Sequence, residues 1–190
     1  MNEGPRRADN LGSATAAAAV SAAEIERMYQ DHHALVFRAA YRVTGNAGDA
    51  EDVLQTVFLR MLRRPPEADA VERPDAYLRR AAVNAALDLL RSRQSAAQVP
   101  LEDLEPVLPQ SSEAPDRALA AGEIRAWLRK TVARLSPRAA EMFAMRFYEG
   151  LSNPEIASAM GTTESTVAVT LCRARDRVYR EYQALSGGSR

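Results

Sequence analysis

The stretch Gly150–Arg177, GLSNPEIASAMGTTESTVAVTLCRARDR, constrains the fold more than any other part of the chain. Ser152 can cap a short helix, and Glu155 three residues later completes a capping box. Ile156, Ala157 and Met160 give that helix one apolar face. Gly161 supplies a tight turn, and Thr162 or Thr163 caps a longer helix behind it. In that second helix Val167, Leu171, Ala174 and Val178 recur at helical spacing and leave the opposite side polar. Two helices hinged in this way form a helix-turn-helix, whose second helix fits the major groove of DNA.

The charge distribution supports this reading without deciding it. Net charge is zero over 190 residues, which argues against a general polyanion binder. Residues 21–95 carry 11 basic and 11 acidic groups, residues 96–116 carry none and 5, and residues 117–190 carry 12 and 7. A basic C-terminal part behind an acidic spacer fits a DNA-binding module on a tether; scattered charge alone produces a similar count.

The remainder reads as helix. Residues 1–20 are rich in Ala, Gly, Asn and Ser and are expected to be disordered. A helix over 23–43 ends at Gly45-Asn46. A second, Asp49–Arg63, has an apolar set of Ala50, Val53, Leu54, Val57, Phe58, Met61 and Leu62. Pro65-Pro66 stops it, and a loop runs to Arg73. Pro74 opens a third helix to Arg93, with Leu78, Ala81, Ala82, Ala85, Leu87, Leu89 and Leu90 mostly inward. Residues 94–115 hold several prolines and the acidic group Glu102, Asp103 and Glu105, which is linker composition. A helix Arg117–Leu135, another from Ser136-Pro137 to Tyr148, and the helix-turn-helix complete the chain. The expected fold class is all-α, with two small helical modules at 21–93 and 116–184, a flexible acidic linker at 94–115, and tails at 1–20 and 185–190.

Several functions are excluded or weakened. Cys172 is the only cysteine, so no intramolecular disulfide and no CxxC metal site exists. No GxxxxGK[ST] or GxSxG pattern occurs. His32-His33 has no cysteine nearby and reads as surface. No catalytic residue, metal ligand or cofactor is expected, and the chain is not expected to be an enzyme. No apolar run approaches a membrane span, and no signal peptide is evident, so a soluble cytoplasmic protein without membrane insertion is expected.

Four stretches in order resemble the extracytoplasmic-function group of bacterial RNA polymerase sigma factors, within the sigma-70 family. They are AYRVTGNAGDAEDVLQTVFLRML at Ala40–Leu62, RPDAYLRRAAVNAALDLLRSR at Arg73–Arg93, LSPRAAEMFAMRFYEGLSNPEIASAMG at Leu135–Gly161 and TVAVTLCRAR at Thr166–Arg175. The modules then correspond to sigma region 2 and sigma region 4. The resemblance implies a transcription initiation factor that binds core RNA polymerase, melts the minus-ten promoter element with its N-terminal module and reads the minus-thirty-five element with its C-terminal one. It also implies control by an anti-sigma factor and a monomer when free.

Candidate contacts follow residue by residue. With Ala50 inward, the second helix turns Asp52, Gln55, Thr56 and Leu59 outward, with Asp49 and Glu51 at its start. The pattern suits a solvated face as well as a partner surface. The resemblance assigns it to docking on the clamp helices of the polymerase largest subunit, through Asp49, Glu51, Asp52, Gln55, Phe58 and Leu59. Thr56 stands where the family often has Glu. In the third helix Arg79, Arg80, Arg91 and Arg93 lie near Tyr77. Arginines beside an aromatic suit single-stranded DNA, although the residues alone favour Tyr77 in a core with solvated arginines. By resemblance Tyr77, Arg79, Arg80, Asn84 and Arg91 face the minus-ten strand, and loop 65–73 helps to hold a flipped base. On the last helix Ser165, Thr166, Val169, Cys172, Arg173, Arg175 and Arg177 are the minus-thirty-five candidates. The commonest family pattern is basic at the positions of Ala168 and Thr170, so this chain has fewer phosphate contacts there. The C-terminal module is also expected to meet the polymerase flap. Two other readings remain: a sigma-like decoy for an anti-sigma factor, motivated by that depleted helix, and a helix-turn-helix repressor, which leaves Ala40–Arg93 unexplained.

Overall fold

The computed structural model describes residues 21–63, 73–96 and 115–187. Seven helices and no strand occur among them: α1 Ala22–Thr44, α2 Ala47–Arg63, α3 Pro74–Ala96, α4 Pro115–Ala133, α5 Pro137–Phe147, α6 Asn153–Ala159 and α7 Glu164–Gly187. The expected tail at 1–20, nearly all of the linker at 94–115 and loop 65–73 up to Arg73 lie outside the described residues.

Local chemistry sets the helix ends. Ser21 opens α1 with a complete capping box, its hydroxyl accepting the Glu24 amide while Glu24 accepts the Ser21 amide at 2.7 Å. Gly45 closes α1 in the left-handed region at φ 71°, which any side chain resists. The Arg129 guanidinium lies where a Cβ of residue 45 would stand, so glycine is required there twice over. The helix α2 begins two residues before the expected Asp49, because the Asn46 carboxamide oxygen accepts the Asp49 amide at 3.1 Å. Pro137 sits in the first turn of α5, where its missing N–H costs nothing.

The helices α1, α2 and α3 pack into one bundle around Val36, Ala40, Val43, Ala50, Val53, Met61, Leu78 and Leu87. Their apolar stripes match the expected periodicity, with Leu62 as an exception that stays exposed. The C-terminal helices hold a smaller core in which Met142, Met145, Ile156, Met160, Val167 and Leu171 meet. These two units do not stand apart. Val132, Leu135, Ala140, Phe143, Ala144 and Ala174 join the larger core of the first three helices. The middle helix, α3, contacts α4, α5 and α6. Arg129 on α4 donates to the Val43 carbonyl at 3.2 Å, and Gln94 on α3 donates to the Lys130 carbonyl at 2.9 Å.

Candidate nucleic-acid interface

The helix-turn-helix has the geometry its sequence demands. Ser152 and Glu155 form the second complete capping box of the molecule. That hydrogen bonding holds the Glu155 carboxyl below the ordinary carboxylate range. Gly161 makes the turn at φ 57°. Of the two threonines considered for the next cap, Thr163 takes the role: its hydroxyl accepts the Thr166 amide at 3.2 Å. Val167, Leu171 and Ala174 are buried, which fixes the rotation of α7. Ser165, Thr166, Val169, Cys172, Arg173, Arg175 and Arg177 are all exposed as a consequence. Arg177 pairs with Glu181 at 3.3 Å. The Cys172 thiol lies 3.9 Å from the Asp176 carboxylate.

On α2 the outward residues are Glu51, Asp52, Gln55 and Leu59, the last of them 49% exposed. Asp49 and Phe58 depart from the docking face proposed for them. Asp49 is buried because both its oxygens accept from the Arg93 guanidinium on α3. Phe58 turns inward and packs edge-on against Tyr29, with ring centroids 5.0 Å apart. A carboxylate near a helix start and an aromatic beside an exposed leucine look alike in a sequence whether they face a partner or a neighbouring helix.

On α3, Tyr77 packs against the core and also borders a groove. The ring is half-buried against the bundle, and burial raises its phenol pKa. It also lines an open groove of about 440 Å³ with Val57, Arg60, Met61, Arg63, Ala81 and Asn84. Arg60 and Arg63 were not among the sequence candidates. Their spacing of three, on the helix facing Tyr77, was the available signal.

Arg79, Arg80 and Arg91 of α3 are partly buried and engaged with the C-terminal helices and the turn after α5. Arg79 donates to the Glu149 carboxylate at 3.1 Å. Arg80 donates to Glu141 at 2.6 Å and to the Ala159 carbonyl at 2.9 Å. The Asn84 amide donates to the same Glu141 oxygen at 2.9 Å. Arg91 donates to the Ala133 carbonyl at 3.1 Å and pairs with Asp88 at 3.3 Å. Glu141 lies inside the apolar run Ala140–Met145 of α5. A charge at an inward position requires a partner, which was the sequence signal for this network.

No cluster of side chains suited to a metal ion occurs among the described residues. His32 sits 2.9 Å from Asp75, and His33 contacts the Tyr29 carbonyl of its own helix.

Comparison with known proteins decides the family. The sigma-70 region 2 model matches residues 28–96, and the sigma-70 region 4 model matches residues 125–178. The chain is 33% identical over 158 residues to the ECF RNA polymerase sigma factor SigL of Mycobacterium tuberculosis, covering 83% of this chain and 88% of that protein. The chain belongs to the extracytoplasmic-function sigma factors. It is also 31% identical over 163 residues to the RNA polymerase sigma-E factor of Streptomyces coelicolor, covering 85% and 87%. The solved structure of CnrH in complex with the cytosolic domain of CnrY matches at 20% identity and a TM-score of 0.49, covering 86% and 90%. This sigma factor is therefore a transcription initiation factor whose two regions serve RNA polymerase and promoter DNA. Among the described residues no helix is long and apolar enough to cross a membrane.

Proposed function

We propose that the two modules divide promoter recognition between them. The α7 face made by Ser165, Thr166, Val169 and Arg173 reads the minus-thirty-five element in the major groove. The observation that carries this is the rotation of α7: Val167, Leu171 and Ala174 are buried, so those four side chains share the outward side. Arg173 suits a guanine edge and Val169 a thymine methyl. Arg175 and Arg177 suit phosphates, and Cys172 is a small groove-facing residue one turn earlier. In region 2, the groove beside Tyr77 suits an unstacked base of the minus-ten strand, and Arg79, Arg80, Asn84 and Arg91 suit its backbone.

The polar ridge Glu51, Asp52, Gln55 and Leu59 docks on the clamp helices of the polymerase largest subunit, and region 4 on the flap. The protein acts in the cytoplasm as a monomer when free, catalyses no reaction itself, and answers to an anti-sigma factor.

The test is run-off transcription from fragmented genomic DNA of the source organism, with purified core polymerase with and without this chain. New discrete transcripts sharing an upstream motif are expected. Their absence with active core would favour the decoy reading, for which the non-basic Ala168 and Thr170 are the motive. Asp52→Arg combined with Gln55→Ala should abolish core binding in a pull-down while leaving the helical circular dichroism intact. Unchanged binding would remove the docking face from α2.

A further inference from the structure

The C-terminal half of α1 carries an aromatic and basic face that the groove beside Tyr77 does not include. Tyr41 is 47% exposed. Its ring lies nearly parallel to that of Phe37, at 13° and 6.3 Å between centroids. Phe37 is half-buried against the core of the first three helices, so it backs Tyr41 from the protein side. Arg38 and Arg42, three residues before Tyr41 and one after it, flank the ring on the helix surface. From Ala34 to Thr44 the helix contains no acidic residue, in a chain whose net charge is zero.

The helix dipole accounts for part of this pattern. Arg42 stands in the last turn of α1, and Arg129 donates to the Val43 carbonyl at 3.2 Å, both places where a cation meets the negative helix end. Arg42 also gives one nitrogen to Glu149 at the seam between the two regions, yet its side chain remains 48% exposed. Arg38 lies one turn further back, beyond the reach of the dipole. It is exposed and makes no hydrogen bond or ion pair among the described residues. Neither Arg38 nor the open ring is explained by the fold.

An aromatic face set between guanidiniums is complementary to one kind of polymer. Unpaired DNA offers a flat base for the ring and a phosphate on each side of it, whereas an apolar protein surface would leave both arginines facing carbon. A ring already held by Phe37 also loses little freedom when a base stacks on it. We propose that α1 is a second contact for unpaired DNA, with a base on the open face of Tyr41 and the flanking phosphates on Arg38 and Arg42. The groove beside Tyr77 is lined by α2 and α3 alone, so the two contacts are separate. Both presuppose the reading in which region 2 meets unpaired DNA.

The experiment uses the full chain bound to purified core polymerase, with oligo-dT carrying iododeoxyuridine as the probe. Ultraviolet light joins this base to an aromatic ring stacked on it, and mass spectrometry locates the joined residue. A crosslink at Tyr41 is expected, and it needs no variant to fold. A crosslink at Tyr77 alone overturns the α1 contact and leaves the groove; a crosslink at neither overturns both. Tyr41→Ala should weaken oligo-dT binding at least about fivefold, the lower end for losing one stacked base, and Tyr41→Phe should keep it. Tyr29→Ala, at a tyrosine of α1 that is 45% exposed, should leave binding unchanged. Arg38→Gln should reduce the slope of log affinity against log salt by about 0.7, the value for one phosphate of a single strand. Unaltered affinity in Tyr41→Ala overturns the proposal, and an unaltered slope removes Arg38 from it. Weakened core binding by Tyr41→Ala in a pull-down, with no crosslink at Tyr41, gives the face to a protein partner and overturns it as well.

Discussion

The two regions keep the arginines of α7 and of α3 in opposite conditions. On α7, Arg173 and Arg175 stand exposed on a helix whose buried side faces the two cores through Val167, Leu171 and Ala174. On α3, Arg79 and Arg80 are half-buried and tied to carboxylates 61 to 70 residues further along the chain. The same residue type, placed on two helices of one protein, is free in one and engaged in the other. Helical periodicity determines which side of a helix is polar; it does not determine what that side meets. One arginine face is therefore open to solvent, and the other is engaged by carboxylates of the C-terminal module.

The strongest way to break this comparison is to dissolve the seam. Phe143 is 5% exposed, sits 4.4 Å from the Phe147 ring and belongs to the core cluster shared with α1, α2 and α3. Phe143→Ala should cost about 3–5 kcal/mol, the range for a truncated core aromatic. If the regions form one cooperative unit, the parent chain melts in a single transition, and the variant melts in two or at a much lower temperature. Two transitions in the parent chain would show that the shared core does not couple them.

The next effect comes from Tyr148 at the same seam. Its ring meets Phe143 edge-on, its hydroxyl is buried without a partner among the described residues, and burial pushes its pKa up to about 12. An unfolded tyrosine titrates near 10, so between about 10 and 12 the native state holds a proton that the unfolded state has released. Stability is thus full below about pH 10 and falls as pH rises, by roughly 2–3 kcal/mol over that window. Tyr148→Phe should remove this part of the alkaline loss in urea melts compared with the parent. At neutral pH it should be neutral or stabilising by about 1 kcal/mol, because an unmet hydroxyl leaves the core. A variant with an unaltered alkaline limb would place the titration elsewhere.

The open region is sharpened by a smaller change. Arg173→Ala should cost ~1–3 kcal/mol of promoter binding and relax preference at one position of the minus-thirty-five element. Selection from a randomised site would show it. An unaltered preference would mean that α7 is turned otherwise in the groove.

What could be read in advance divides along the same line. The caps at Ser152 and Thr163, the turn at Gly161 and the burial of Val167, Leu171 and Ala174 all follow from residues a few positions apart. The bundle stripes of α2 and α3 were legible for the same reason. Leu62 belongs by spacing to the apolar set of α2, yet at the end of that helix it is 53% exposed. The roles of Asp49 and Phe58 depended on Arg93 and Tyr29, which are distant in sequence. Glu141 and Glu149 find their partners in another module, and no local spacing reports which ones. The family resemblance supplied which faces bind what, which neither periodicity nor composition contains.

The smallest effect tests how far each region depends on its own first turn. Among the described residues two capping boxes share one design, Ser21 with Glu24 and Ser152 with Glu155, one in each region. They open helices of 23 and 7 residues. Losing a serine cap costs about 1 kcal/mol in either. A long helix buried along its length absorbs that loss as fraying, whereas a helix of two turns has little else to hold its start. Ser152→Ala should therefore raise amide hydrogen exchange throughout α6, while Ser21→Ala raises it only at the first turn of α1. Acid should act in the same direction. Both glutamates are held below their ordinary pKa of 4.5 by the serine contacts, so their contribution is present above that value and is lost as pH falls through the lowered one. Exchange in α6 should rise on acidification in the parent chain and lose part of that dependence in Ser152→Ala. Equal protection of α6 in both chains would show that Ile156 and Ala157, buried against α7, hold the helix without its cap.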